Sequence, residues 1–350
     1  MATPDKVGAG NKFAIVGGSG KTWGTAQLAL TTGAGCRPLS FSGSDNPAEI
    51  DDKGYNADIY QRQSALAGRR APSFEIELDA TYEGVFATMC ALLMGADATS
   101  GAPSTYLHTL TRIVDAAGIM GTMVWYDSSM AHEFDSFKVV EGTFTGTPGE
   151  PLKGKFKCEA HTRTENATSP VANGTASIGN LTETGSLVRA QWIPSVFSAK
   201  IIAQGGTLAA FEINNFEVTF GHPVETGDGL YSSATISGGT LRREMNRIRA
   251  KSGFKFAVPM QSTAYLAACL AATIYDVEIA YAVSTVPIIR FAFPSWKATK
   301  ADLGKLTGMG MLQQSLEGPL EVPVTAPAGM TVTTVSPSIQ ITNSVAAAYV

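Results

Sequence analysis

Charge is scarce in this chain: Asp, Glu, Lys and Arg together make up 16% of the 350 residues, and the net charge is −4. A slightly acidic balance argues against a sequence-independent DNA clamp, which needs a strongly basic face. Cysteine is also sparse. Cys36, Cys90, Cys158 and Cys269 are scattered with no CxxC pair, so they read as small apolar residues of a reducing compartment rather than a disulfide frame. The four histidines (His108, His132, His161, His222) lie at least 24 residues apart, outside any metal-ligand spacing. There is no Gly-x-Ser-x-Gly elbow, and His132-Glu133 lacks the second histidine of a zinc-protease helix. The most apolar run, Ala264 to Tyr275, is too short to span a bilayer. The opening residues, MATPDKVGAGNKF, have no apolar core and so do not read as a secretory signal. The expectation is a protein made and assembled in a cytoplasm.

One motif tempts a nucleotide reading and fails on spacing. Phe13 to Thr22 ends in Gly20-Lys21-Thr22, but the position five before Gly20 is Ile15, so the first glycine of the phosphate loop is missing. The segment that follows alternates and does not supply the helix N-terminus that would cradle phosphates.

What the chain does have is a repeat. Arg70-Ala71-Pro72-Ser73-Phe74 leads into a run carrying Cys90, and Arg249-Ala250-Lys251-Ser252-Gly253-Phe254 into a run carrying Cys269. Phe74 to Cys90 is 16 residues, Phe254 to Cys269 is 15, and the two cysteines are 179 apart. Each unit reads as a strand and then a helix. Phe74, Ile76 and Leu78 alternate with Glu75, Glu77 and Asp79; Phe254, Phe256 and Val258 alternate likewise. Tyr82, Phe86, Met89, Cys90 and Leu93 then fall at helical spacing, with Gly95 as the stop. A second helix is expected at 261 to 274. Leu39 to Gly43 matches Val218 to Gly221, with Phe41 lying 33 residues before Phe74 and Phe220 lying 34 before Phe254. The length suits two cores, and the expected division is a first copy at 1–165, a linker or exposed loop at 166–186, and a second copy at 187–350. The linker is rich in Asn, Thr, Ser and Gly, and its three Asn-x-Ser/Thr triplets are composition rather than glycosylation sites.

Two arms interrupt the copies. Gly43 to Pro72 carries Asp45, Glu49, Asp51, Asp52 and Asp58 before Arg62, Arg69 and Arg70, whereas Gly221 to Lys251 carries Arg242, Arg243, Arg247, Arg249 and Lys251 against Glu244. Loops of this length are usually functional, so they read either as contacts to other subunits or as solvated hairpin faces. Further strands are expected at Tyr106–Ile113, Gly121–Tyr126, Phe137–Thr145, Leu152–His161, Val286–Phe293 and Gly318–Ala326, with Leu187–Ala203 and Leu208–Phe220 opening the second copy. The tail, Met330–Val350, is β-rich and exchangeable with a neighbour. Lys153, Lys155 and Lys157 share one strand face and match Glu75, Glu77 and Asp79. That pattern fits a cross-strand ion ladder or a face lining a channel.

Trp23-Gly24-Thr25, the Leu39–Gly43 strand, the charged arm, the Phe74 strand, the helix ending Leu92-Leu93-Met94-Gly95, and Tyr106-Leu107-His108-Thr109 occur here in a particular order. That order resembles the major tail tube proteins of long-tailed, siphovirus-type bacteriophages. The resemblance covers most of residues 20 to 165 and returns from 205 to 326. It implies a mainly β fold, a sandwich or barrel with one flanking helix per domain, duplicated in tandem. It also implies a structural virion protein of the phage tail rather than an enzyme, with no catalytic, cofactor or metal site. A doubled chain would form trimeric, pseudo-hexameric rings stacked into a hollow tube that conducts DNA without binding it specifically. Expected partners are further copies of the chain and the tail tip or baseplate, tape measure and tail terminator proteins, with no membrane. The resemblance places the arms between rings, so acidic 45–58 of one subunit would meet basic 242–251 of another, and reversing Arg242 and Arg243 to Glu would block stacking. Glu75, Glu77 and Asp79 are candidates for the lumen, although Lys255 and Ala257 stand at the matching places of the second copy. Two alternatives remain: the inner tube of a contractile or bacteriocin-like device, and a ligand-binding β-sandwich or enzyme.

Overall fold

The structure is a computed structural model that describes residues 12–24, 34–45, 49–50, 66–67, 70–113, 115–127, 130–166, 188–204, 206–222, 231–236, 239–242, 244, 251–259, 264–303, 313–323, 330 and 336–350. The first strands are β1 (Lys12–Gly18), β2 (Gly35–Cys36), β3 (Ser40–Ser44), β4 (Glu49–Ile50), β5 (Leu66–Ala67) and β6 (Ser73–Asp79). Helix α1 (Val85–Met94) is followed by β7 (Gly95–Ala102), β8 (Thr105–Arg112), β9 (Met120–Tyr126), β10 (Ala131–Gly146), β11 (Lys153–Ala160) and β12 (Arg163–Asn166). The second half opens with β13 (Phe197–Ala203), β14 (Ala209–Ala210), β15 (Asn215–Gly221), β16 (Tyr231–Ile236), β17 (Gly239–Arg242) and β18 (Lys251–Pro259). Helix α2 (Ala264–Leu270) precedes β19 (Ile274–Ala282), β20 (Ile288–Lys297), β21 (Lys300–Leu303), β22 (Gln313–Pro319) and β23 (Ser338–Asn343).

Period-2 alternation makes the principal strands. In β6, Phe74, Ile76 and Leu78 are buried while the acids between them stay half-exposed, as a strand with one dry face requires. The helix α1 behaves differently, because every residue except Thr88 is buried; a helix apolar all round belongs inside a core rather than on its flank. It stops where the sequence says: Gly95 takes φ 95°, and its N–H reaches back to Ala91 O.

Strand β10 organises the larger, 12-stranded sheet. Its first half pairs β9 and β12, and its second half pairs β11 and β15, with register shifts between Phe134 and Phe137 and between Val139 and Glu141. Such bulges bend a strand and let it serve two branches. One branch runs β2-β1-β9-β10; the other is an eight-strand run, β3-β6-β11-β10-β15-β18-β22-β21, antiparallel throughout. Four of its strands come from each half of the chain. The second sheet has seven strands in the order β14-β13-β19-β20-β23-β8-β7. Its two hairpins, β7–β8 and β19–β20, stand in opposite senses on either side of β23.

Where two cores are expected, one apolar cluster runs through both halves among the described residues. Phe144 is its link: its ring lies 6.0 Å from Phe86, 5.1 Å from Phe291 and 6.0 Å from Phe220. A buried Phe contributes about 2–3 kcal/mol and well-set aromatic pairs somewhat more, so severing the halves would expose a large part of the core.

Several expectations shift. Among the described residues the second helix spans Ala264–Leu270; Cys269 packs against the core while Leu270 is 80% exposed. Of the two segments that open the second half, the first holds β13 from Phe197 and the second holds β14 and β15. The strand expected from Gly318 starts earlier, at Gln313. The arms carry two-stranded hairpins, β4–β5 and β16–β17. The tail strand β23 is central, hydrogen-bonded to β20 on one side and β8 on the other, so it closes the chain on itself.

Candidate assembly surface

The eight-strand run has one face in the core and one exposed, and opposed residues on the exposed face form rows. One row reads Asp79, Lys153, Thr145, Glu217, Lys255, Glu317 and Lys300. The next reads Glu77, Lys155, Thr143, Thr219, Gly253 and Pro319, and a third Glu75, Lys157, Glu141, Gly221 and Lys251. Acid therefore faces base at nearly every charged step, which is the stabilising arrangement for cross-strand neighbours.

Lys155 Nζ lies 2.7 Å from Glu75, Lys157 Nζ 2.7 Å from Glu141, Lys153 Nζ 2.8 Å from Glu150 and Arg189 Nε 3.0 Å from Asp79. Ser40 Oγ donates to Glu77 at 3.0 Å. The hydrogen bond that Lys157 donates to Glu141 holds its ammonium above its ordinary pKa, and the one that Lys153 donates to Glu150 does the same there. These pairs are solvent-screened and add little stability. Their consequence is electrostatic: a lysine already matched by carboxylates gains less from a phosphate. Where β10 meets β15 the face is concave, a cavity of about 930 Å³ whose lining includes Glu141, Lys157, Glu217, Thr219, Lys251 and Lys255.

The nearest approach to catalytic geometry lies elsewhere. Three histidines each meet an aspartate: His108 with Asp97 at 2.9 Å, His132 with Asp127 at 3.2 Å and His161 with Asp135 at 3.0 Å. Each is occupied in holding chain. His108 is fully buried and its Nε2 lies 2.9 Å from Val345 O, an acceptor that requires the proton there. The His161 ring takes the edge of Trp23 at 5.8 Å. Among the described residues no three His, Cys, Asp or Glu converge as a metal site, and no helix is long and apolar enough to cross a membrane.

The sequence-chosen residues divide. Glu75, Glu77 and Asp79 sit side by side on β6 opposite the three lysines of β11. Asp45 is paired with Arg70 inside the chain, its side chain 4% exposed. Glu49 lies on β4, Arg242 on β17 and exposed Lys251 on β18 opposite Gly221; Asp51, Asp52, Asp58, Arg243, Arg247 and Arg249 lie outside the described residues. Sequence reasoning missed Glu244 as an anchor. Its carboxylate accepts from buried Lys138 Nζ at 2.9 Å and from Gly118 N at 2.7 Å, fixing this point of the second arm to the first half. The signal was available: Lys138 is a cation between Phe137 and Val139 in a strand, and a buried cation needs a partner.

The chain matches no protein-family model, and a search of curated proteins finds no match. Fold and surface define a mainly β protein of two antiparallel sheets and two short helices, with a charge-alternating sheet face left open to solvent.

Proposed function

We propose that this chain is a tube-forming structural subunit: a tandem-duplicated tail-tube protein whose copies close into trimeric, pseudo-hexameric rings that stack around a DNA channel. The observation that carries the reading is the eight-strand run with four strands from each half and one polar face. Its end strands pair on one side only among the described residues; open strand edges are an aggregation hazard unless a partner uses them, and a head-to-tail contact that closes on itself makes a ring. Three copies would place 24 strands side by side, a wall about 115 Å around and about 37 Å across at the backbone. Side chains on both walls still leave room for a duplex. Two copies would give about 24 Å at the backbone, which side chains largely fill.

The mechanism is passive conduction. Each exposed lysine facing a polyanion adds a counterion-releasing contact that must be broken for the DNA to move. On this face the lysines of β11 and β18 are interleaved with the carboxylates of β6, β10, β15 and β22, so a passing phosphate finds few unmatched cations. The tail tip, tape measure and terminator proteins would meet the ends of the stack. Electron microscopy of the purified protein across a concentration series tests the proposal: annuli with three subunits and six lobes are expected, and a monodisperse monomer at every concentration would overturn it.

A further inference from the structure

The joint between two copies can be read from the joint inside one. Strand β6 lies between β3 and β11, and β18 lies between β15 and β22; Glu77 stands between Ser40 and Lys155 as Ala257 stands between Asn215 and Ser315. One step further out, Lys155 faces Thr143 of β10, and Ser315 faces Asp302 of β21. On the other side, four residues back along each central strand, Ser73 faces Ser44 of β3 and Gly253 faces Thr219 of β15. The two four-strand blocks therefore have the same ladder, strand for strand and in the same direction. Inside the chain they are joined by β10 against β15, with Thr143 directly opposite Thr219. The free ends, β3 and β21, each pair on one side only among the described residues.

We infer that β21 of one copy docks antiparallel on β3 of a second copy, in the register that repeats the internal joint, so that Asp302 stands opposite Ser44 of the neighbour. The occupant is a second copy because the two open edges are the counterparts of two edges already mated within the chain. An edge that suits β15 is built like β10, and β21 holds the corresponding place. The step carries one sheet from copy to copy with its apolar face continuous and its charged face on one side. It rests on the reading that the chain assembles with itself, and adds which strands meet and at which residues.

A disulfide tests the register. Within one chain Ser44 and Asp302 are seven strand spacings apart, about 34 Å, far beyond the reach of a disulfide; directly opposed residues across a joint have Cβ atoms about 5 Å apart. The full-length variant S44C/D302C, oxidised mildly after assembly, is expected to run as covalent dimers and trimers on a non-reducing gel, with peptide mapping placing the bond between residues 44 and 302. The variant S42C/D302C, displaced by two residues, should cross-link at least tenfold less, and S44C or D302C alone, with the four native cysteines unchanged, should remain a monomer. Rings by microscopy with cross-linking through 42 rather than 44, or with none, would overturn the register and leave the ring intact. Absence of both annuli and cross-links would overturn the assembly reading as well, and a cross-link to a different protein would replace the occupant.

Discussion

Gly318 and Gly253 are neighbours across β18 and β22, yet their tolerance of a methyl group differs sharply. A Cβ built on Gly318 would lie 1.8 Å from Lys297 O, a backbone atom that cannot turn aside, whereas one on Gly253 meets nothing nearer than 3.6 Å. Gly318→Ala should therefore destabilise by about 2–3 kcal/mol as an overpacked site. Gly253→Ala should be neutral or stabilising by about 0.5 kcal/mol through the unfolded chain; paired urea denaturation curves decide it. Tyr82 allows a test by pH. Its ring is buried, its hydroxyl has no hydrogen-bond partner among the described residues, and burial pushes its pKa up to about 12. The folded value lies above the ordinary 10, so the native state favours the neutral phenol. That preference contributes fully below pH 10 and is lost as pH rises through about 12. Tyr82→Phe should leave stability at neutral pH unchanged or slightly higher and move the alkaline unfolding midpoint upward. An unchanged midpoint by circular dichroism would show that Tyr82 is not among the groups that titrate.

Strands were legible where alternation was clean, as in β6 and β11, and Gly95 was legible as a helix stop. The first part of β10 was hidden because Ala131–Ser136 carries buried His132 and Glu133 and half-buried Asp135, polar residues whose placement depends on partners elsewhere such as Asp127 and His161. Register was the harder problem. Spacing alone set Phe41 beside Phe220, but the ladder puts Phe41 opposite Ile76 and Phe216 opposite Phe256, so Phe216 holds the corresponding place. A slip of four residues keeps every side chain on the same face, and no local signal separates the alternatives. Position in a sheet was equally opaque for β23, whose apolar alternation reads the same at an edge or in the middle. Its last residue secures it: buried Asn343 donates to Tyr82 O and Tyr349 Oη, both at 2.8 Å, and accepts from Val345 N at 2.9 Å. Asn343→Ala should cost about 1–3 kcal/mol by stranding those groups, and should make residues 344–350 the first segment released in limited proteolysis. If cleavage begins elsewhere, the tail is held by the His108 contact instead.

In the proposed ring the charges of the exposed face would act together. From β6 to β22 the rows hold six carboxylates (Glu75, Glu77, Asp79, Glu141, Glu217 and Glu317) and five lysines (Lys153, Lys155, Lys157, Lys251 and Lys255), a net of −1 per chain. Three chains would give −3 to the proposed ring. Neutralising β6 in the variant E75Q/E77Q/D79N removes three carboxylates and turns each chain's face to +2 and the ring's to +6. It also leaves Lys155 without its ion-pair partner Glu75, whereas Lys153 keeps Glu150 and Lys157 keeps Glu141. Because the ion pairs are exposed, folding stability should change by less than about 1 kcal/mol. What should change is the behaviour toward DNA. Assembled wild-type tubes are expected to pass or exclude a short duplex without retaining it at moderate salt. The variant should retain it, with an affinity that falls on added salt at a logarithmic slope of about −3, one unit for the unmatched Lys155 of each of three chains. Fluorescence anisotropy on tubes and on dispersed subunits separates the effect of the lumen from that of any basic surface. Equal DNA retention by wild-type and variant tubes would mean that this face does not line the channel, and the ring would then have to be turned so that the seven-stranded sheet faces inward.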